Sequence, residues 1–137
     1  MPFLHRVRNV VNELLSPVGV AISRTEKTPW KWLSSATTAR IGQYAIEVPT
    51  RNPVAWQYGY APELISQLGR QTSLVSSKYP NLAAIDIGAN VGDTACIIKS
   101  AADIPLLCIE GDEFTFAYLQ RNVAQFRNTT AHQLFLG

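Results

Sequence analysis

The sequence predicts an α/β protein built on an incomplete, doubly wound parallel sheet of about three strands, preceded by a helical and β-strand extension, and three observations carry that reading. Leu82 to Ile87 is a short apolar run between the turn residues Tyr79-Pro80-Asn81 and a glycine loop, the pattern of a buried strand entering a tight turn. Ile104 to Glu110 repeats it, again apolar and again ending in an acid. Helical spacing fills the stretches between and after, and Ala131 to Leu136 supplies a third apolar run. Strand, helix, strand, helix, strand is half of a doubly wound sheet, with right-handed crossovers expected.

In chain order, Phe3, Leu4, Val7, Val10, Val11, Leu14 and Leu15 recur at three- and four-residue spacing with Arg6, Arg8 and Glu13 between them, an amphipathic helix that Ser16-Pro17 should end. Two arginines make a thin basic face, so packing on its own domain is favoured over docking to a membrane or partner, and His5 reads as a polar-face residue. Residues 24 to 40 mix Arg24, Lys27, Lys31 and Arg40 with Trp30 and Trp32, and their Thr, Ser and Pro content predicts a loop or linker. Ile41 to Val48 alternates as a half-buried strand, and Pro49 to Pro53 is a turn. Trp56, Tyr58 and Tyr60 fall at every second position, which suits either an extended segment over a cleft or ordinary core packing. Pro62 suits the first turn of a helix that buries Leu64, Ile65, Leu68, Val75 and Tyr79, with Gly69 a local weakness. Beyond the glycine loop, one helix is expected from Asp93 or Thr94 to Ala102. A second is capped by Asp112 and buries Phe116, Leu119, Val123 and Phe126. The divisions are thus 1–40, an N-terminal helix and linker; 41–81, an accessory strand and helix; and 82–137, the α/β core.

With 47% hydrophobic and 16% charged residues over 137 positions, the composition is that of one globular core. The net charge of +2 hides an asymmetry: residues 1–31 hold five Lys/Arg against two Glu, and residues 81–137 hold three against six acids. Basic residues interleaved with aromatics near Trp30 can suggest nucleic acid, but the patch is short and the pI of about 8.7 is low for a dedicated binder. No nucleic-acid partner is expected. Cys96 and Cys108 sit in apolar surroundings without metal-ligand spacing and read as buried thiols in a reducing compartment, so neither a disulfide nor a metal site is expected. No apolar run approaches the ~18 residues of a membrane span and no signal-like cleavage site is present, which predicts a cytoplasmic protein without a transmembrane span.

The candidate site is the loop Gly88-x-Asn90-x-Gly92 with Asp86 in front of it and Glu110 at the end of the next strand. Glycines let the backbone bend and a ligand approach, and Asn tolerates positive φ. The spacing is one residue shorter than the Gly-x-Gly-x-x-Gly of dinucleotide folds. A strand-end acid can still accept from both hydroxyls of a ribose, and Asp86 can face a cationic group, so the set fits a nucleoside without a pyrophosphate. The plainer alternative leaves Asp86 and Asp112 as helix caps and the glycines as turn residues. Glu110 resists that explanation better, since a carboxylate ending an apolar strand needs a partner or solvent.

Ile85-Asp-Ile-Gly-Ala-Asn-Val-Gly-Asp-Thr94, with Ile109-Glu110, Leu119-Gln-Arg-Asn122 and Tyr79-Pro80, resembles the S-adenosylmethionine-dependent methyltransferases of the FkbM family, over roughly residues 41–137. The resemblance implies a Rossmann-like methyltransferase sheet with S-adenosylmethionine as cofactor. Asp86, Gly88, Asn90 and Gly92 would lie against its methionine half, Glu110 would hold the ribose, and Gly111 and Asp112 would border the adenine. It also implies a small-molecule or glycan hydroxyl as acceptor, of the sugar or secondary-metabolite kind. A sheet of that class has about seven strands, and this chain ends at the third, so a fragment without turnover alone, or one completed by another chain or copy, is expected. No catalytic base is evident: His5 and His132 lie in a helix and a strand. Two other readings stand beside this one, a non-catalytic remnant or interaction module, and a fragment of a nicotinamide-dependent oxidoreductase, against which the short loop with Asn90 argues.

Overall fold

The computed structural model describes residues 35–135, which run β1 (Ala36–Ile41), β2 (Tyr44–Pro49), α1 (Val54–Tyr60), α2 (Glu63–Lys78), β3 (Ala84–Ile87), α3 (Asp93–Ala101), β4 (Leu106–Glu110), α4 (Glu113–Val123) and β5 (Thr129–Gln133). The expected helix over Phe3 to Leu15, His5, the Trp30 and Trp32 stretch, and Leu136 and Gly137 lie outside the described residues.

The first two strands form an antiparallel hairpin in the register Ile41↔Tyr44 to Ala36↔Pro49. Its two-residue turn places Gly42 at φ +58°, a left-handed conformation that glycine adopts without strain. Residues 36–40, expected as linker, are therefore a strand, and the single strand expected over 41–48 begins as its turn. The reason is pairing: Thr37 and Thr38 are β-branched, and the register aligns Ala39 and Ile41 with Ile46 and Tyr44 on one face. Ala39, Ile41, Ile46 and Val48 are buried in a cluster with Val54 of α1, Val91 of the glycine loop, Cys96 and Ile97 of α3, and Tyr118 of α4. The hairpin and the α/β core thus share one hydrophobic interior.

Trp56, Tyr58 and Tyr60 lie on a helix, which corrects the extended segment; the core packing expected of them holds for Tyr58 and not for Trp56 or Tyr60. At helical spacing Trp56 and Tyr60 fall on one side, their rings edge-to-face at 6.0 Å and 55% and 83% exposed, while Tyr58 turns inward. Helix α2 follows Pro62 as expected, but Leu64, Val75 and Tyr79 are exposed. Two apolar stripes overlap on this helix, and the one used runs through Ile65, Leu68, Gly69 and Thr72. Ile65 and Leu68 pack against the core cluster that contains Ile97, and a Cβ at Gly69 would stand 3.9 Å from Ile97, an ordinary contact distance.

The core sheet is parallel in the order β3-β4-β5, pairing Asp86 with Cys108 and Cys108 with Ala131. The predicted α/β class and parallel sheet are present. Strand β5 starts two residues before the expected Ala131, because Thr129 and Thr130 pair with Leu106 and Leu107. Helices α3 and α4 cover one face, where Ala95, Ile98, Leu119 and Val123 bury Leu106 and Cys108 beside Ala84 and Ala131. Period-two alternation sends Ile85 and Ile87 to the other face, where they are 65% and 64% exposed. The strand expected to be buried is therefore buried on one side only. Ile85→Thr and Ile87→Thr should each change the unfolding free energy by less than about 0.5 kcal/mol in urea titration. Ile46→Ala, in the fully buried hairpin face, should cost about 3 kcal/mol.

At the lower end of the sheet the buried Lys99 has all three ammonium protons engaged. Its Nζ donates to Asp103 Oδ1 at 2.8 Å, to the Ile104 carbonyl at 2.8 Å and to the Arg127 carbonyl at 2.6 Å. The ammonium beside Asp103 holds that carboxyl below its ordinary range. Lys99 joins the ends of α3 and α4 to the starts of β4 and β5, far from the glycine loop in the sheet. Among the described residues no helix is long and apolar enough to cross a membrane, and no three His, Cys, Asp or Glu side chains are grouped to hold a metal ion.

Candidate functional site

The loop after β3 bends through three left-handed residues at alternate positions, Gly88 at φ +75°, Asn90 at +48° and Gly92 at +93°. The amides of Gly88 and Ala89 both donate to the Ile109 carbonyl at 2.9 Å, so the loop folds over the end of β4. The two glycines serve different ends. Nothing stands within 4 Å of where a Cβ at Gly88 would lie, which leaves space for a ligand beside the backbone. A Cβ at Gly92 would stand 3.2 Å from Leu119 Cδ1, so the absent side chain lets α4 pack against the loop.

Glu110 binds the two loops of this sheet end together. Its Oε2 accepts the Asn90 amide and its Oε1 the Asp112 amide, both at 2.9 Å. Each carboxylate oxygen keeps a further lone pair for a ligand. Asp112 caps α4 as its position predicted: Oδ1 accepts the Thr115 amide at 2.8 Å, and that bond holds the carboxyl below its ordinary range.

Asp86 lies on the helix-covered side of β3, level with Cys108. Its Oδ2 is buried without a hydrogen-bond partner. Burial first, and then the carboxylates of Asp93 and Glu110, push its pKa from 3.8 up to about 6. The folded chain thus holds this proton more tightly than the unfolded chain. Stability present below about pH 4 is lost as pH rises to about 6. Asp86→Asn should remove the slope, the wild type losing about 1–2 kcal/mol more than the variant between pH 4 and 7 after solvent screening. Equal slopes in urea titrations at the two pH values would refute this.

Four residues of this region escaped the sequence reading. Tyr58 of α1 donates its hydroxyl to Asp93 Oδ2 at 2.5 Å, and burial followed by that bond pushes the phenol pKa upward. Asn52, before α1, donates from Nδ2 to Asn90 Oδ1 at 3.0 Å. The buried Asn122 of α4 donates from Nδ2 to the Val91 and Glu47 carbonyls at 2.8 and 2.7 Å and accepts the Glu47 amide at 2.9 Å. For Asn122 a signal existed: a polar residue beside Leu119 and Val123 on the buried stripe must find partners. For Asn52, Tyr58 and Asp93 none did, because their partners are distant in sequence.

A cleft of about 370 Å³ opens beside the Tyr58–Asp93 pair, lined also by Gln57, Gln67 and Thr94. A wider groove of about 600 Å³ between α2 and α3, lined by Ile65, Gly69 and Ile97, lies apart from the glycine loop. The site gathers Asp86, Gly88, Asn90 and Glu110 around one sheet end. Gly92 instead packs against α4 at the start of α3, and Asp112 serves its helix cap.

No protein-family model matches this chain, and no curated protein matches it. Among solved structures it is similar to a protein-L-isoaspartate O-methyltransferase, at a TM-score of 0.42 and 14% identity over 92% of this chain and 41% of that one. The chain spans about two fifths of that protein's length.

Proposed function

We propose that the loop from Gly88 to Gly92, with Asp86 and Glu110, is the S-adenosylmethionine-binding wall of a methyltransferase that acts on a hydroxyl of a sugar or secondary metabolite. The resemblance to the FkbM family through Asp86, Gly88, Asn90, Gly92 and Glu110 supplies the assignment. The carrying observations are the partnerless Oδ2 of Asp86 and the open space at Gly88, two residues farther along the chain. An uncompensated carboxylate next to Asp93 and Glu110 favours a cation and disfavours a phosphate. A sulfonium and an α-ammonium fit there, and a pyrophosphate does not.

When bound, S-adenosylmethionine supplies a methyl group on a cationic sulfur to an attacking oxygen. The described residues bind and orient. Gly88 leaves the backbone open to the ligand, Glu110 accepts from the ribose hydroxyls with the lone pairs its two amide bonds leave free, and Asp86 faces the cationic half. None of the described residues is assigned as the base that takes the acceptor's proton, and that group and the acceptor pocket are proposed to come from other parts of the whole protein.

Calorimetric titration of the full chain tests this. Saturable binding of S-adenosylhomocysteine without binding of NAD is expected, and NAD binding, or neither, overturns the reading. One observation favours the non-catalytic alternative: both Glu110 oxygens already serve backbone amides, which suffices to explain an acid at that position. Failure of the titration with a folded chain is its expected result.

A further inference from the structure

We propose that Asn52 is a positioning residue for the ligand loop, setting the left-handed conformation of Asn90 from outside the sheet; that this loop binds S-adenosylmethionine rests on the reading above. Three bonds fix Asn52. Its amide donates to the Pro49 carbonyl at 2.8 Å, its carbonyl accepts the Ala55 amide at 3.0 Å, and its side-chain Oδ1 accepts the Val54 amide at 3.0 Å at the start of α1. The side chain is thereby held with its Nδ2 toward Asn90, whose Oδ1 receives it at 3.0 Å.

Asn90 in turn is held from two directions. Its backbone amide goes to Glu110 and its side chain to Asn52, while φ is +48°. A non-glycine residue in that conformation carries strain that its surroundings must offset, and glycine would occupy it freely. The asparagine is explained by the bond its side chain makes. The helix that follows Asn52 reaches the loop's far end, where Tyr58 donates to Asp93 at the first turn of α3. Asn52, just before α1, and Tyr58 within it therefore hold the ligand loop at two points, and the segment read as accessory orders the residues that meet the ligand.

Asn52→Asp in the full chain isolates this role. The carboxylate keeps the acceptor for the Val54 amide, so α1 stays capped, but it loses the donor and sets negative charge against Asn90 Oδ1. Ligand-free hydrogen exchange at the Asn90 amide is expected to accelerate at least tenfold, and S-adenosylhomocysteine affinity to fall about tenfold, with the urea midpoint little changed. In an Asn90→Gly background the same change should have no further effect. Asn52→Ser, a shorter cap that cannot reach Asn90, should reproduce the result should the aspartate variant not fold. Unchanged exchange and affinity, or effects that add in the double variant, overturn the proposal. A wild-type chain that binds no S-adenosylhomocysteine sinks the cofactor reading alone, because the exchange measurement still decides the role of Asn52.

Discussion

Asn122→Leu is expected to lower the unfolding free energy by about 3 kcal/mol, although the two side chains share the same branched heavy-atom skeleton. The amide commits both of its donors and one acceptor lone pair to backbone groups: the Val91 and Glu47 carbonyls accept from Nδ2, and the Glu47 amide donates to Oδ1. Leucine would strand all three backbone groups. Val91 lies in the fully buried part of the site, where a stranded carbonyl costs about 1–3 kcal/mol, whereas water can reach strand β2 at the exposed Glu47. Asn122→Asp should be comparably damaging at neutral pH, since it turns the donor toward two carbonyls into a charged acceptor. Urea titration should show a lower midpoint at unchanged slope. A loss below about 1 kcal/mol for the leucine variant would mean that these bonds contribute little beyond packing.

The second large effect falls on binding. On the proposed ribose role, Glu110→Ala is expected to weaken S-adenosylhomocysteine by about 100-fold, because the variant would lose two charge-assisted bonds to ribose hydroxyls together with the tie between the loops. The same variant frees the Asn90 and Asp112 amides and should cost about 2 kcal/mol of stability without unfolding the chain. Glu110→Gln separates the contributions. It keeps one acceptor oxygen for an amide and the shape of the side chain, so affinity should fall about tenfold. Wild type should discriminate adenosine from 2′,3′-dideoxyadenosine and the glutamine variant should not. Affinity of Glu110→Ala within threefold of wild type would remove the ribose role and leave Glu110 a staple between loops.

The two acids of the site show how different their legibility was. Asp112 stands one residue before a helix with Thr115 three positions on, and its capping bond is local, so its place could be read directly. Glu110 was legible as a strand-end acid, but its bonds to Asn90 and Asp112 depend on two loops meeting over the sheet. Helix α2 makes the same point from packing. Its apolar pattern allowed two buried stripes, and the packing of Ile65 and Leu68 on the cluster around Ile97 decided between them. The aromatic triplet at Trp56, Tyr58 and Tyr60 misled because period two over five residues is compatible with an exposed pair on one helix face and an inward residue on the other.

What could be known from residues alone is what short stretches dictate: the alternation of strands and helices, the glycine turns at Gly88 and Gly92, the cap at Asp112 and the apolar runs of β3 and β4. These follow from backbone freedom, capping and hydrophobic period, all set within about ten residues. Folding in three dimensions decided the rest. The pairing that made a strand of Ala36–Ile41, the exposure of Ile85 and Ile87, and the partners that hold the loop all depend on distant neighbours. Asn52 meets Asn90 across 38 positions and Asn122 meets Glu47 across 75. No local propensity specifies such contacts. They arise because a buried amide must find partners and the chain offers them only after the hairpin has packed on the core.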